Sequence, residues 1–381
     1  MLGATARCAL AAALLAAPAA AETLRVATWS AGLSREGPGL LLHELDGGPK
    51  PQLAAVLRVI RTVRPDVLLL TQFDHDLRGR ALDAFRARLA EGADGIDYAH
   101  AFHAPVNAGV PSGRDLDGDG LLMGWGDALG WGKFPGHGGM ALLSRLPIDG
   151  AAGRTFRGLL WSELPDALLP EHADGSPWPD AEGRAAMRLS SRAHWDVPVE
   201  LPGGGRLHLL AANPTPPLFD GAEGLNRRRN HDEVLFWGHY LDGRAFRDDQ
   251  GRVAGPPDAP LVVLGDLNAD PFDGDGLHDG IARLLAHPAL QDPEPASAGA
   301  VAAAAAQGGA NATHEGPAAL DTADWRDAGG PGNLRVDYLL PSAGLALAGA
   351  GVYWPEPGDP MAGVAAKASA HRLVWVDIEL P

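Results

Sequence analysis

Short apolar runs that end in polar residues recur along this chain and limit the folds open to it. The runs are "DVLLLT" (66–71), "GMALLS" (139–144) and "PLVVLGDLNADP" (260–271). Their continuous apolar stretches are typical of strands buried on both faces. The sequence therefore predicts β-sheets covered on both sides, with polar side chains gathered where the strands end.

Other segments extend this to a mixed pattern of strands and helices. Residues 374–380 alternate between apolar and polar side chains, as in a half-buried strand, and residues 193–212 have the pattern of a hairpin. Residues 51–63 place their apolar side chains on one helical face, and Pro65 ends that helix. Residues 230–241 also favour a helix. The pattern favours the α/β (α+β) class.

The first 21 residues have the features of a cleaved signal peptide. Arg7 precedes an apolar stretch at residues 9–15, and small residues lead to a cleavage site after Ala21. Cys8, the one cysteine, lies before the apolar stretch, where a lipoprotein cysteine does not occur. No later apolar run is long enough to cross a bilayer. We therefore expect a periplasmic or secreted protein without disulfides.

The remaining chain favours one domain. Residues 22–381 show no internal repeat and no break between two cores. Residues 292–320 are rich in Ala, Gly and Pro and lack an apolar face, so we expect a loop insertion there. Once Arg7 is removed with the signal, 30 basic residues face 48 acidic ones, a formal net charge of −18. That charge disfavours broad nucleic-acid binding but not a small phosphoester, and we expect a monomer.

Polar residues cluster where the predicted strands end: Ser30, Gln72, Asp74, Asp76, Asn213, Asp266, Asn268, Asp337 and His371. Any one of them alone is ordinary turn chemistry, but the whole set indicates a site. The sharpest motif is "GDLNADP", in which Asp266 and Asn268 lie two residues apart after a buried strand. Such a carboxylate can accept a proton from water, and such an amide can donate to a phosphoryl oxygen.

The chain resembles the endonuclease/exonuclease/phosphatase superfamily, which has the deoxyribonuclease I-like fold. "GDLNADP", "RVDYLLPS" and "SAHRLVWVDI" carry the resemblance, in this order and at strand ends. "NAGVPSGRDLDGDG", "FPGHGGMALLS", "NPTPPLFDG" and "NRRRNHDE" are similar to an exported bacterial branch. The resemblance implies a four-layer α/β/β/α sandwich, two packed sheets flanked by helices. It also implies phosphoester hydrolysis assisted by Mg²⁺ or Mn²⁺.

Four residues match the family's proton-handling positions. Asp266 matches the carboxylate that orients or deprotonates water, and Asn268 matches its partner. His371 matches the histidine that contacts the scissile phosphate, and Asp337 matches the carboxylate that orients it. We therefore expect His371 to lie within hydrogen-bond reach of Asp337, on the same rim as Asp266.

Five positions depart from the family pattern. Where the family has Asn, a metal-binding Glu and Asp, this chain has Ser30, Gln72 and Ala370. Where the family has a phosphate-side His and the branch has Tyr, this chain has Asn213 and Gly138. Three of them fall on the expected metal site, where two formal charges are lost. A hard cation prefers anionic oxygens, so Mg²⁺ or Mn²⁺ binding is doubtful here. Asn213 can still donate to phosphate.

A second cation site is one of two interpretations of "RDLDGDGLL". Asp115, Asp117 and Asp119 resemble the first half of a calcium loop, but Gly126 stands where the closing acid belongs, with Asp127 next. A solvated acidic turn is the other interpretation.

Other basic residues could contact an anion. The run 227–229 opens a predicted helix, so Arg229 either contacts phosphate or belongs to an exposed cluster. Lys133 and His137 could supply positive charge where the metal is lost. Two functions follow from this sequence. One is binding of a small phosphoester or acidic ligand with weak or no turnover, and the other is active, metal-dependent hydrolysis as a phosphoesterase or nuclease.

Overall fold

Two β-sheets with helices on their outer faces form the part of the protein that the computed structural model describes, residues 23–380. The predicted signal peptide and Cys8 lie outside these residues. The strands are β1 (Thr23–Leu33), β2 (Val67–Phe73), β3 (His100–Phe102), β4 (Gly139–Ser144), β5 (Arg154–Thr155), β6 (His194–Glu200), β7 (Arg206–Ala212), β8 (Phe246–Arg247), β9 (Val253–Ala254), β10 (Leu261–Asp266), β11 (Ala323–Asp324), β12 (Asn333–Leu334), β13 (Asp337–Pro341), β14 (Leu347–Tyr353) and β15 (Leu373–Glu379). The helices are α1 (Leu40–Gly47), α2 (Pro51–Val63), α3 (Arg80–Ala90), α4 (Ala181–Ala186), α5 (Leu225–Leu241), α6 (His278–Leu285), α7 (Ala298–Gln307) and α8 (Ala362–Ala368).

Both large sheets mix parallel and antiparallel pairs. The first is six-stranded, in the order β14-β15-β1-β2-β4-β3, and β1 is antiparallel to β15 but parallel to β2. The second is five-stranded, in the order β13-β10-β7-β6-β5, and β10 is antiparallel to β13 but parallel to β7. The strands β6 and β7 form the predicted hairpin.

The continuous apolar runs follow from this layered arrangement. In β2, Val67 and Leu69 point into the core between the two sheets, whereas Leu68 and Leu70 pack against the outer helices. In β10, Val262 and Leu264 likewise face the inter-sheet core, and the alternate residues face α5 and α6. Because successive side chains of a strand point to opposite faces, a strand between two apolar layers needs apolar residues throughout. The result is the expected four-layer α/β/β/α sandwich.

The helices cover the outer faces with apolar stripes. Helix α2 buries Leu53, Val56, Leu57, Ile60 and Val63, the face predicted from the sequence. The longest helix, α5, has 17 residues. Within residues 23–380, no helix combines the length and the apolar character that crossing a bilayer requires.

The segment 292–320 differs from the predicted loop. It contains α7, which begins after Ser297, whose hydroxyl accepts a hydrogen bond from the Gly299 amide at 3.0 Å. Alanine has the highest helix propensity, so its abundance there favours a helix even without a strong apolar stripe. Gly299 contacts the backbone of Trp354 so closely that an added Cβ would lie 1.9 Å from its carbonyl oxygen. A small residue thus lets the helix pack closely against the chain just after β14, the edge strand of the six-stranded sheet.

Candidate active site

The topology brings the ends of eight strands to one rim. Asp266 ends β10 and pairs directly with Asp337, which begins the antiparallel strand β13. Ser30 lies near the end of β1, and His371 lies just before the antiparallel strand β15; the Ser369 hydroxyl donates to the Ser30 carbonyl at 2.6 Å. The parallel neighbours β2 and β7 end at the same edge, and the antiparallel strands β4 and β6 begin there. Residues far apart in the chain therefore meet there.

The centre of the rim is a histidine between two buried aspartates. His371 Nδ1 lies 2.8 Å from Asp337 Oδ2, and His371 Nε2 lies 3.9 Å from Asp266 Oδ2. Asp266 is 2% exposed and Asp337 is 1% exposed. The Thr322 hydroxyl also donates to Asp337 Oδ2 at 2.9 Å, and the Trp325 ring packs edge-on against the His371 ring. The arrangement fixes the imidazole with Nε2 directed towards Asp266.

These neighbours set the protonation of the site. Burial by itself lowers the pKa of His371, but the charges of Asp337 and Asp266 outweigh it and raise the pKa to about 9. Burial raises the pKa of Asp266 to about 6, against the opposing effect of the His371 charge. At neutral pH the histidine is therefore a cation and Asp266 a carboxylate that gains a proton readily.

The two asparagines hold the rim together. Asn268 has a left-handed backbone (φ 50°), its amide N–H donates to Asp266 Oδ1 at 3.2 Å, and its side chain donates to the Pro214 carbonyl at 2.9 Å. The Asn213 side chain donates to the Asp266 carbonyl at 3.0 Å and is 1% exposed. Both amides thus support Asp266, and a phosphate contact by Asn213 or Asn268 stays a prediction.

Three positions on the predicted metal side of the rim carry neutral side chains. Ser30 is 2% exposed and its side chain hydrogen-bonds to Asp266, while Gln72 offers a neutral amide and Ala370 only a methyl group. The one cluster of acids and histidine at this rim within residues 23–380 is Asp266, Asp337 and His371. Asp337 and His371 hydrogen-bond to each other. The neighbour of Asp266 in this cluster is the cationic ring of His371. Two carboxylates and a histidine could also hold a metal ion, and weak or absent Mg²⁺ binding stays a prediction.

Asp74 and Asp76, also at this rim, have structural roles. The Asp74 carboxylate accepts from the Gly138 amide at 2.9 Å and from the Arg35 amide at 2.8 Å, joining two loops. Asp76 accepts from three amides at the start of α3, the nearest that of Ala81 at 2.8 Å. Both residues match ordinary capping and turn chemistry.

Of three candidate cations from the sequence, two have other partners and the third is neutral. Arg229 donates to the carbonyls of Leu189, Leu129 and Arg188, so its guanidinium holds the backbone, and a phosphate contact by Arg229 stays a prediction. Lys133 forms an ion pair with Glu36. Burial, together with the charges of nearby arginine and lysine, lowers the pKa of His137, which leaves it neutral.

Sequence reasoning missed Arg192. It lies in "SSRAHWDV", immediately before β6, and is 6% exposed. Its Nε donates to the Gly138 carbonyl at 3.0 Å, which places the guanidinium on the metal side of the rim. A lone arginine among small polar residues before a buried strand was the available signal. The sequence holds no comparable signal for Thr322, whose hydroxyl donates to Asp337.

The predicted calcium loop has a different set of acids. Atoms of Asp115, Asp117 and Asp127 lie within 4.8 Å of one another, and Asp119 is not among them. Asp127 is 2% exposed and accepts from the Leu116 amide at 2.9 Å, because the chain folds back over the turn. Burial and the neighbouring acids raise the pKa of Asp117. Asp127 thus replaces Asp119 in the predicted set.

Calcium should raise the melting temperature if this cluster coordinates an ion, because a ligand bound only by the folded state stabilises it. At millimolar Ca²⁺ we expect a rise of several degrees by differential scanning calorimetry. Asp127→Asn should remove the rise and Asp119→Asn should keep it. An unchanged melting curve for the parent protein would show that the loop is a solvated acidic turn and binds no calcium.

Comparisons with known proteins agree with this geometry. A model of the Endonuclease/Exonuclease/phosphatase family matches residues 43–371. An endonuclease/exonuclease/phosphatase from Beutenbergia cavernae DSM 12333 is 19% identical, with a TM-score of 0.51 over 94% of this chain and 72% of that one. A family protein from Leptotrichia buccalis C-1013-b is 12% identical, with a TM-score of 0.50 over 94% of this chain and 100% of that one.

At these identities the two solved structures show a shared fold and no more. No curated protein matches the sequence. The family model spans most of the chain, from α1 to the histidine at the centre of the rim. The chain therefore belongs to the endonuclease/exonuclease/phosphatase family.

Proposed function

We propose that this phosphoesterase-like protein binds a small phosphoester or acidic ligand at the Asp266–His371 rim and turns it over weakly or not at all. The observation that carries the proposal is His371, held by Asp337 at 2.8 Å beside a predicted metal side where Gln72 and Ala370 supply no carboxylate. The net charge of −17 makes a long polyanion a poor ligand, whereas one phosphoryl group needs only local positive charge. We further propose a monomer exported from the cell, on the strength of the pattern in residues 1–21.

The residues divide the work between holding the anion and orienting water. With Nδ1 donating to Asp337, the Nε2 proton of His371 is free to donate to a phosphoryl oxygen. Asp266 can orient a water molecule, and Asn268 fixes the position of that carboxylate through its backbone amide. The family is generally dependent on divalent metals, and three of the predicted ligand positions here carry the neutral residues Ser30, Gln72 and Ala370. Binding is retained, while stabilisation of the charge that develops during hydrolysis is reduced.

Active, metal-dependent hydrolysis of phosphoesters is the second candidate. It is favoured by the complete assembly of Asp266, Asn268, Asp337 and His371 at one rim. A generic bis-ester phosphate, assayed with Mg²⁺, Mn²⁺ and EDTA in parallel, separates the two. Strong hydrolysis with a metal that disappears in EDTA would establish the second candidate and overturn the first.

The binding of sulfate should depend on pH in two steps. Sulfate keeps both charges across the range, so only the protein titrates. As pH falls through about 6, Asp266 gains a proton, a negative charge leaves the site and the affinity rises. As pH rises through about 9, His371 loses its charge and the affinity falls. Each step should change the dissociation constant by about tenfold.

Calorimetric titrations from pH 5 to pH 10 measure both steps. Asp266→Asn should remove the lower step and His371→Ala the upper one. An affinity that does not vary with pH would place sulfate away from these two groups.

A further inference from the structure

Arg192 is a buried cation that has no ion-pair partner in the described part of the chain. Its side chain keeps little contact with solvent, at 6% exposure. Among residues 23–380 its guanidinium forms no ion pair within 4.0 Å, and Nε, which donates to the Gly138 carbonyl at 3.0 Å, is the one guanidinium nitrogen with a hydrogen-bond partner. Arginine stays protonated in proteins, so a buried guanidinium without a counter-charge is costly. Such a group points to an anionic ligand.

The two acids whose charges act on Arg192, Glu233 and Asp266, have other partners. Glu233 accepts from the Ser191 amide at 2.6 Å, the Ser191 hydroxyl at 2.9 Å and the Thr215 amide at 2.8 Å, and it also feels the charge of Arg229. Asp266 lies beside His371. Neither acid therefore neutralises the terminal nitrogens of Arg192, which remain available.

Gly138 locates the guanidinium relative to the metal side. A Cβ added to Gly138 would lie 2.7 Å from Gln72 Oε1 and 3.7 Å from Arg192 Nη2, so both groups border the same small space. Gly138 also has a left-handed backbone (φ 54°), which a larger residue adopts with strain. The glycine thus leaves room for an arginine beside Gln72, at the side of the rim where the sequence predicts a lost metal ligand.

The other candidates for a local positive charge on this side are excluded by their surroundings. Lys133 is paired with Glu36, and His137 is held neutral by burial and by the charges of Arg192 and Lys133. Arg229 donates to backbone carbonyls. Of the three charged groups, Lys133, Arg229 and Arg192, Arg192 is the one whose terminal nitrogens have neither a carboxylate nor a carbonyl partner within residues 23–380.

We propose that Arg192 is the anion anchor of this site, and that its guanidinium binds a phosphoryl oxygen of the ligand beside Gln72 without a metal ion. The inference rests on the proposed function and deepens it, because it assigns the ligand class: a tetrahedral phosphoryl group that contacts Arg192 on one side and His371 on the other. A planar guanidinium can hold two oxygens of such a group at once, which an ammonium cannot do. A fixed cation of this kind also explains why a divalent ion would be repelled.

Calorimetric titration with inorganic phosphate in EDTA tests the anchor. Arg192→Gln removes the charge while keeping a side chain of polar character, and it should weaken phosphate binding at least tenfold. Arg192→Lys keeps the charge but cannot hold two phosphoryl oxygens at once, and it should bind phosphate with an affinity between those of the parent and Arg192→Gln. Arg145→Gln is a matched control, because Arg145 pairs with Asp66 at an exposed position, and it should leave binding unchanged.

The outcomes separate the anchor from the proposed function. If the parent binds phosphate and both Arg192 variants bind it equally well, the anchor is wrong and the proposed function stands. If the parent binds no phosphate, both are wrong. Should Arg192→Gln fail to fold by circular dichroism, Arg192→Lys decides alone, and an affinity equal to that of the parent would overturn the anchor.

Discussion

A variant carrying Ser30→Asn, Gln72→Glu, Ala370→Asp and Arg192→Gln should hydrolyse a bis-ester phosphate with Mg²⁺ at least ~10²-fold faster than the parent. The first three changes supply the amide and two carboxylates that the metal side lacks. The fourth removes a guanidinium that borders Gln72 across Gly138 and would repel the ion. Asp266, Asn268, Asp337 and His371 are already in place to use it.

Two control variants test the reason given for this prediction. The three-residue variant that keeps Arg192 should gain much less, because Glu at position 72 would pair with the guanidinium instead of the ion. The four-residue variant with His371→Ala should stay near the parental rate. Initial rates with Mg²⁺ and with EDTA measure the effect, and a four-residue variant that gains nothing would show that more than the metal side differs from an active enzyme.

His371→Ala should weaken phosphate binding by about 10- to 100-fold, the effect of losing one charged hydrogen bond in a buried setting. Asp337→Asn should cause a smaller loss at pH 8, because the carboxylate charge that raises the pKa of His371 is gone. At pH 6, where the histidine is protonated again, the affinity of Asp337→Asn should approach that of the parent measured at the same pH. A purely structural role for Asp337 would give no such recovery.

A second histidine–aspartate pair provides the matched control. His287 lies 3.3 Å from Asp242 at the far end of α5, away from the rim. His287→Ala should leave phosphate binding as it is in the parent. Equal losses in His371→Ala and His287→Ala would show that the effect reflects general destabilisation.

The strand-end residues could be predicted because their signal is local. A buried strand that ends in Asp266 and Asn268 is visible within one short motif, and so is the strand that follows His371. Their assembly then follows from pairing: Asp266 lies opposite Asp337 in register, and β15 lies beside β1. The resemblance to a family supplied the order of the strands, which no periodicity in the sequence contains.

Arg192 could not be predicted because its meaning depends on tertiary contacts. It is more than 50 residues from both Gln72 and Asp266 in the sequence, and only the folded sheets bring the three to one rim. An arginine in a loop is usually exposed, so its residue type alone does not indicate a buried site. The same limit explains Arg229, whose donors are used by backbone carbonyls that the sequence does not place beside it.

Two smaller differences have the same origin. Asp127 enters the acidic cluster because the chain folds back over residues 115–120, whereas the sequence pattern considered only the residues of one loop motif. Helix α7 forms where composition predicted a loop, because alanine favours a helix and Ser297 caps its start. Local composition was informative in both segments, but its outcome depended on a partner elsewhere.

The central claim is that the rim binds a phosphoryl group without a divalent metal. Calorimetric titration of the parent protein with inorganic phosphate, first in EDTA and then in Mg²⁺, tests it most directly. The account predicts binding in EDTA with the same affinity in Mg²⁺, and a loss of binding in His371→Ala. Binding that appears only with Mg²⁺, or Mg²⁺ affinity in the micromolar range that is lost on changing Asp266 or Gln72, would contradict it.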